Sequence, residues 1–224
     1  MTKNAFLAQD TIHYEKLGLK NDIEIWEDGL RTDGDKGSFE WWYFDAEYSN
    51  GYKIVVIFYT KNRFDVAGGP MPVATIDITL PNGSTINKLI FEKGSKICAS
   101  SHKCDVSICD CHIEYEDGFY NIDFKCEEFQ YSCTLKPTFP MWRPKTGHIY
   151  FGEEEKDYFA WLVAVPSGKC NGVLIVDDNV ISMSGTGYHD HNWGNCSMKD
   201  VMDNWYWCRT HINDYTIIAF DIIV

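Results

Sequence analysis

Apolar and polar positions alternate through most of the chain, and from Trp26 onward the pattern predicts strand after strand. Alternating or continuous apolar runs fall at 39–47, 52–59, 73–80, 88–91, 119–124 and 129–135. They continue at 158–165, 172–176, 186–192, 203–209 and 215–224. Turn-forming triplets separate them: Ser49-Asn50-Gly51, Pro81-Asn82-Gly83, Glu116-Asp117-Gly118, Pro166-Ser167-Gly168 and Ile212-Asn213-Asp214. Many short strands at regular spacing indicate an antiparallel barrel or sandwich. Residues 1–25 read as a lead-in with one short helical stretch, and 26–224 as a single all-β domain. The final run, 214–224, stops inside an apolar strand pattern, so the expectation is one domain of a longer protein, cut at its C-terminal edge.

Composition narrows the partners. Eight Trp, thirteen Tyr and thirteen Phe are enough large rings to fill a core or line a cavity for a ligand. A net charge of -13 repels phosphate backbones and anionic lipid, which argues against nucleic acid and membrane surfaces. No apolar run approaches the ~20 residues of a bilayer-spanning helix, so no integral membrane association is expected. The N-terminus shows no basic segment followed by an apolar stretch, and nine cysteines without a secretory signal read as reduced thiols in a cytoplasmic protein.

Four segments carry candidate chemistry. Along 39–46, one strand face holds Glu40, Trp42, Phe44 and Ala46, and the other Phe39, Trp41, Tyr43 and Asp45. Both faces are aromatic and should be covered. Carboxyl groups among rings are costly unless bonded, so Glu40 and Asp45 are expected to pair with backbone amides or an arginine such as Arg31. The decapeptide 185–194, Gly-Thr-Gly-Tyr-His-Asp-His-Asn-Trp-Gly, puts His189 and His191 on one face and Asp190 and Asn192 on the other. Its terminal glycines allow close backbone approach. The His-x-His pair admits a zinc site, with His148, His211 or Asp45 as a third ligand, a metal-free ligand site, or a buried hydrogen-bond network.

Further on, Trp205, Trp207 and Arg209 share a face, which lets the guanidinium stack near the indoles. Asp221, inside an Ile-Ile-Ala-Phe-Asp-Ile-Ile run, is expected either to be desolvated with a raised pKa or to pair with Arg209 across a hairpin. The cluster Cys98, His102, Cys104, Cys109, Cys111 and His112 has zinc-binding residue types without the paired C-x₂-C spacing of structural sites, and Cys109 and Cys111 on a strand would face the same way.

Three segments together, Glu40-Trp-Trp-Tyr-Phe-Asp-Ala46, Gly187-Tyr-His-Asp-His-Asn-Trp-Gly194 and Trp205-Tyr-Trp207, resemble the carotenoid hydratase (hydroxyneurosporene synthase) family. That group extends to kievitone hydratase-like proteins and to lipocalin-like pericyclases of fungal polyketide pathways. The resemblance implies an antiparallel lipocalin-like β-barrel, followed by a second one, with neither metal nor organic cofactor. It implies water addition to an isolated carbon–carbon double bond. It assigns importance to an acid near the end of the domain and to an H-x-W element, which match Asp221, His191 and Trp193, the acid only across a one-residue gap. The high cysteine content has no counterpart in it.

Hydration of an unactivated alkene requires a carboxyl held protonated by an apolar site, and π-rich surroundings for the carbocation. On the sequence alone, Asp221 is the candidate acid and His191 or His189 its proton partner. Glu40, Trp42, Tyr188, Trp193, Trp205 and Trp207 are the candidate substrate-binding residues. Cyclisation by the same machinery is the near alternative. A carrier of a small apolar ligand is the non-catalytic one, and a hydrolase with a metal on His189 and His191 is a third.

Overall fold

The computed structural model describes residues 4–32, 34–91 and 97–224. A lead-in of β1 (Ala5–Leu7), α1 (Thr11–Leu17) and a 3-10 turn (Ile25–Asp28) precedes β2 (Phe39–Tyr48), β3 (Lys53–Tyr59), β4 (Val73–Thr79) and β5 (Thr85–Phe91). Then come β6 (Cys98–Ala99), β7 (Asp105–Ile108), β8 (Cys111–Glu116), β9 (Phe119–Lys125), β10 (Phe129–Pro137) and β11 (His148–Phe151). Two long strands, β12 (Asp157–Val176) and β13 (Asn179–Gly194), lead through α2 (Met198–Val201) to a hairpin of β14 (Asn204–Ile212) and β15 (Tyr215–Ile223).

Among the described residues thirteen strands form one antiparallel sheet whose main path runs β5-β4-β3-β2-β13-β12-β10-β9-β8-β7-β6, with β11 on β12 and β1 on β11. Period-2 alternation puts Ile54, Val56 and Phe58 of β3, Ile76 of β4, Val106 of β7, Ile113 of β8 and Ile122 of β9 into one buried cluster. Residues from both ends of the path meet in that cluster, so the sheet is curled around it into an open barrel. Lys88 of β5 pairs with Glu128 beside β10 across the curl. The 3-10 turn crosses one mouth, where Leu30 donates its backbone N–H to Ser100 O at 2.8 Å.

The inside of the curl is not a hollow. Trp42, Phe44, Val56, Phe58, Tyr120, Ile122 and Tyr131 have no accessible surface at all, so their side chains fill it. The two cavities described below lie outside this packed core. Other departures from the sequence reading have local causes. Pro166-Ser167-Gly168 is no turn: β12 runs straight through it, and register shifts between Val163 and Val165 and between Val165 and Gly168 absorb the irregular residues as bulges. Strands β6 to β8 occupy the cysteine-rich segment, which lacks strong alternation. Cys109 takes a left-handed φ of 51° in the β7–β8 turn and is exposed, whereas Cys111 is buried, so the two do not share a face. Residues 1–3 of the lead-in lie outside the described residues.

Candidate functional site

The site grows from one register. Strand β13 pairs with β2 from Gly185↔Tyr48 to Gly194↔Phe39, which sets His191 beside Trp42, Asp190 beside Tyr43 and Asn192 beside Trp41. A side chain on Gly185 would put its Cβ 2.0 Å from Glu47 O, and one on Gly194 would reach within 2.6 Å of Tyr158 O, so the glycines bounding the decapeptide are there for backbone approach. Because successive residues point oppositely, the two faces of this ribbon carry different chemistry.

The inner face holds the histidines. His191 lies between Trp42 (ring centroids 4.6 Å apart, planes 12° apart) and Trp193 (4.7 Å, 40°). Its Nε2 is 2.7 Å from Glu40 Oε1, and Glu40 also accepts the backbone N–H of Arg31 (2.7 Å) and of Thr32 (2.6 Å) and the Thr32 hydroxyl (2.8 Å). Glu40 thus ties the chain leaving the 3-10 turn to β2, through the Arg31 amide rather than its guanidinium. His189 donates Nδ1–H to Tyr43 O at 2.8 Å, and its Nε2 is 3.2 Å from Asp28 Oδ2, which also accepts the Tyr120 hydroxyl at 2.7 Å. Burial opposes a charged His189, but Asp28 beside it and the hydrogen bonds to Asp28 and Tyr43 raise its pKa above the ordinary imidazole value. Sequence reasoning missed Asp28 altogether. Its only signal is an acid in the Trp-Glu-Asp-Gly turn, with nothing to show that the turn is buried.

The outer face holds the cavity. The β14–β15 hairpin docks on it by rings: Trp205 edge-on to Phe159 (5.4 Å), Trp207 against Tyr188 (5.4 Å) and Phe220 edge-on to Trp161 (4.7 Å). Arg209 pairs with Asp45 of β2 and lies over the Tyr188 ring, a phenol in place of the expected indoles. Between hairpin, α2 and sheet remains a cavity of about 590 Å³, walled by Trp41, Tyr43, Tyr59, Phe64, Trp205 and Trp207, with Arg63 and Lys199 also lining it. Asp190 and Asn192 supply its buried polar floor. A second hollow, about 660 Å³, lies between the lead-in and the loop before β11, where Arg143 is committed to Glu27 at 2.7 Å.

Asp190 is the chemically distinctive group in that cavity. Its Oδ2 accepts the Tyr188 hydroxyl (2.7 Å) and Trp161 Nε1–H (2.9 Å), and its Oδ1 accepts the Asn192 amide (2.8 Å). Burial raises its pKa although these three donors act the other way. Asp45 nearby is likewise pushed up to about 6 by burial, against the pull of Arg209 and Tyr43. Asn192 Oδ1, Trp205 Nε1 and Trp207 Nε1 are buried without hydrogen-bond partners on residues that line the cavity. Such groups are costly unless a guest completes them.

The expected site residues therefore divide. Trp205 and Trp207 line the cavity, and Tyr188 supports Asp190 from behind. Glu40, Trp42, His189, His191 and Trp193 lie on the inner face, separated from the cavity by the sheet. Asp221 is exposed and pairs with Tyr206 on the side of the hairpin turned away from the sheet. It is neither desolvated nor bonded to Arg209. Its apolar neighbours suggested burial, but in a two-stranded hairpin only the face docked on the sheet is covered, and Asp221 lies on the other one. Asp190 and Asn192 were legible as facing away from the histidines, but not as floor of a cavity.

A curled antiparallel sheet wrapped on its own core defines the chain as a lipocalin-like all-β protein. No protein-family model matches it. Among curated proteins it is 26% identical over 236 residues to hydroxyneurosporene dehydrogenase of Chlorobaculum tepidum, across 84% of this chain and 57% of that protein. Over 48 residues, 21% of this chain, it is 29% identical to the quinolone epoxide rearrangement protein asqO of Emericella nidulans. Among solved structures it is similar to an AttH-type protein of Nitrosomonas europaea (TM-score 0.71, 17% identity, 90% of this chain and 65% of that one). It is also similar to kievitone hydratase of Nectria haematococca (0.58, 19%, 84% and 58%) and to CghA with Sch210972 (0.53, 11%, 84% and 58%). The solved structures fix the fold, and the chain spans little more than half the length of the curated protein it matches over most of its own length. Together these relatives bear out the resemblance to the carotenoid hydratase and lipocalin-like hydratase and pericyclase group.

Proposed function

We propose that this chain is the substrate-holding domain of a hydratase- or cyclase-type enzyme that protonates an alkene in an apolar terpenoid or polyketide-type molecule. The observation that carries the reading is a buried carboxyl, Asp190, on the floor of an aromatic cavity. Its relatives point the same way, being named for hydroxyneurosporene, for a quinolone epoxide rearrangement and for kievitone hydration. A simple carrier needs only apolar walls, whereas this cavity sets an acid, an unpartnered amide oxygen and two unpartnered indole N–H groups among its rings.

In the proposed reaction the Asp190 carboxyl transfers its proton to one alkene carbon, and the π-bond electrons form the new C–H bond. The cation left on the neighbouring carbon is stabilised by the faces of Trp41, Trp205 and Trp207. Water adds its oxygen to that carbon and returns a proton to the Asp190 carboxylate, which closes the hydration cycle. In a cyclisation, a second double bond of the substrate attacks instead, and loss of a ring proton to Asp190 ends the step. Tyr188 and Trp161 hold the carboxyl in place, and Asn192 exchanges donor for acceptor when its amide turns over. The histidines and Glu40 brace the strand from behind. A second barrel of the kind the family resemblance implies would supply further walls, and the cysteine-rich chain fits a reducing cytosol.

The test is turnover of a panel of isoprenoid and polyketide alkenes by the full chain in D₂O and in H₂¹⁸O. Carbon-bound deuterium must appear in product, with ¹⁸O if the reaction is hydration and without it if cyclisation. Asp190→Asn must abolish both, and Asp221→Asn must not. The reverse ranking of the two variants would move the acid off the cavity floor.

A further inference from the structure

The cavity under the hairpin carries a surplus of positive charge, in a chain whose net charge is -13. Arg63, from the β3–β4 connection, and Lys199, from α2, both line it and both settle on one ring. The Arg63 guanidinium carbon lies 4.9 Å and Lys199 Nζ 4.6 Å from the Phe64 ring centroid, and Arg63 is also 5.5 Å from that of Trp41. Phe64 and Lys199 are exposed and Arg63 is half-buried, whereas Asp190 and Asn192 are buried. The cations therefore stand at the mouth and the carboxyl at the floor.

The other three arginines are committed: Arg143 to Glu27, Arg209 to Asp45, and Arg31 to the backbone carbonyls of Gly29 and Ser101. Arg63 gives one N–H to the Tyr59 hydroxyl at 3.3 Å, and among the described residues neither it nor Lys199 forms an ion pair. Asp65 and Asp200, next in sequence to Phe64 and Lys199, do not line the cavity. Asp203 does, and its carboxylate offsets one of the two cations. Asp190 is the acid that the proposed reaction holds protonated. Two cations less one carboxylate leave a single positive charge unanswered. Further donors follow inside, since the indole N–H groups of Trp205 and Trp207 are buried without partners. The open acceptor, Asn192 Oδ1, stands beside Asp190 at the floor.

From this geometry we infer that the guest is an apolar chain ending in a single carboxylate, whose head is held at the cavity mouth by Arg63 and Lys199. The guanidinium is restricted by the two rings beneath it, and its planar fork of N–H groups matches a carboxylate, to which Lys199 adds a point charge. The apolar body then lies across Trp41 and the hairpin indoles. Pinning one end fixes which carbon–carbon double bond reaches Asp190, so the head group sets regiochemistry as well as affinity. The inference rests on the reading of this cavity as the substrate site and adds to it the chemical class of the substrate.

The test compares affinities of the full chain at pH 7 for farnesoic acid, its methyl ester and farnesyl diphosphate, read by quenching of tryptophan fluorescence. The acid should bind about tenfold more tightly than the ester, and the diphosphate no more tightly than the acid. The advantage of the acid should shrink as salt rises, because the mouth is open to solvent. Arg63→Gln combined with Lys199→Gln should bring acid and ester to equal affinity, with the ester within about twofold of its value in the unsubstituted chain. Arg63→Lys keeps the charge and should retain most of the preference. Lys125→Gln, which removes an exposed charge on β9, should leave it unchanged. Equal affinity for acid and ester in the unsubstituted chain overturns the head group and leaves the cavity reading standing, as does a preference that survives in the double variant. A diphosphate bound more tightly than the acid overturns the single carboxylate. Failure of all three molecules to bind overturns the cavity reading and the inference with it.

Discussion

Asp190 and His191 are neighbours in the chain and work on opposite sides of one strand. The carboxyl of Asp190 meets Tyr188, Trp161 and Asn192 on the cavity side, while the imidazole of His191 lies flat on Trp42 inside the core. Asp190→Asn keeps an acceptor for Tyr188 and Trp161, removes the titratable proton, and sets an amide N–H₂ where Oδ1 accepts from Asn192, which a turn of the Asn192 amide accommodates. Turnover should fall by at least a hundredfold, on the scale of general acid catalysis, with ligand affinity within about threefold. Burial raises the pKa of Asp190, so activity of the unsubstituted protein should decline as pH rises through that raised value. A pH–rate profile measured alongside ligand binding checks both.

Trp205 and Trp207 wall the cavity and also dock the hairpin. Trp207→Ala should weaken binding of an apolar ligand by about tenfold or more, given the contact area an indole provides. Titration of tryptophan fluorescence with a polyene gives the affinity. Unchanged affinity would place the ligand elsewhere.

Glu40 holds four donors within the core and does not touch the cavity. Glu40→Gln leaves N–H groups of Arg31 and Thr32 opposed by an amide and should cost about 3 kcal/mol of unfolding free energy. Urea unfolding measures this. Affinity for an apolar ligand should stay unchanged, and a selective loss of affinity would return Glu40 to the binding residues.

His148 donates Nδ1–H to Thr146 O at 3.0 Å and meets Trp193 edge-on at 5.5 Å. Burial lowers its pKa from 6.5 to about 4. Between those values the unfolded chain binds a proton that the folded chain refuses, so this contribution is complete above pH 6.5 and is lost as pH falls toward 4. At pH 4 the loss is on the order of 3 kcal/mol. Comparing unfolding free energies at pH 7 and 5 for the unsubstituted chain and His148→Gln should show a smaller acid loss in the variant.

The fold was readable where alternation was strong. Residues 39–46 show both faces of β2 directly, and the glycines at 185 and 194 mark real backbone approaches. Alternation assigns a face but not what covers it. That is why Asp221 read as buried and proved exposed, and why His189 and His191, open in the sequence to a metal, a ligand or a hydrogen-bond network, proved to be hydrogen-bonded in a core that aromatic side chains fill. Asp28 sits in a short turn, where no periodicity reports burial, so its meeting with β13 is a tertiary fact. Asp190 was half legible: its face followed from its neighbours, its cavity only from the docking of a hairpin that begins more than ten residues later.

The central claim is that the guest sits between the sheet and the β14–β15 hairpin. Photo-crosslinking of the full chain with a diazirine-bearing isoprenoid, followed by peptide mass mapping, tests it most directly. Adducts should concentrate on Tyr59, Phe64, Met198, Trp205 and Trp207. Adducts on inner-face residues such as Phe58 and Ile76, or on the exposed Tyr206 and Tyr215, would contradict it.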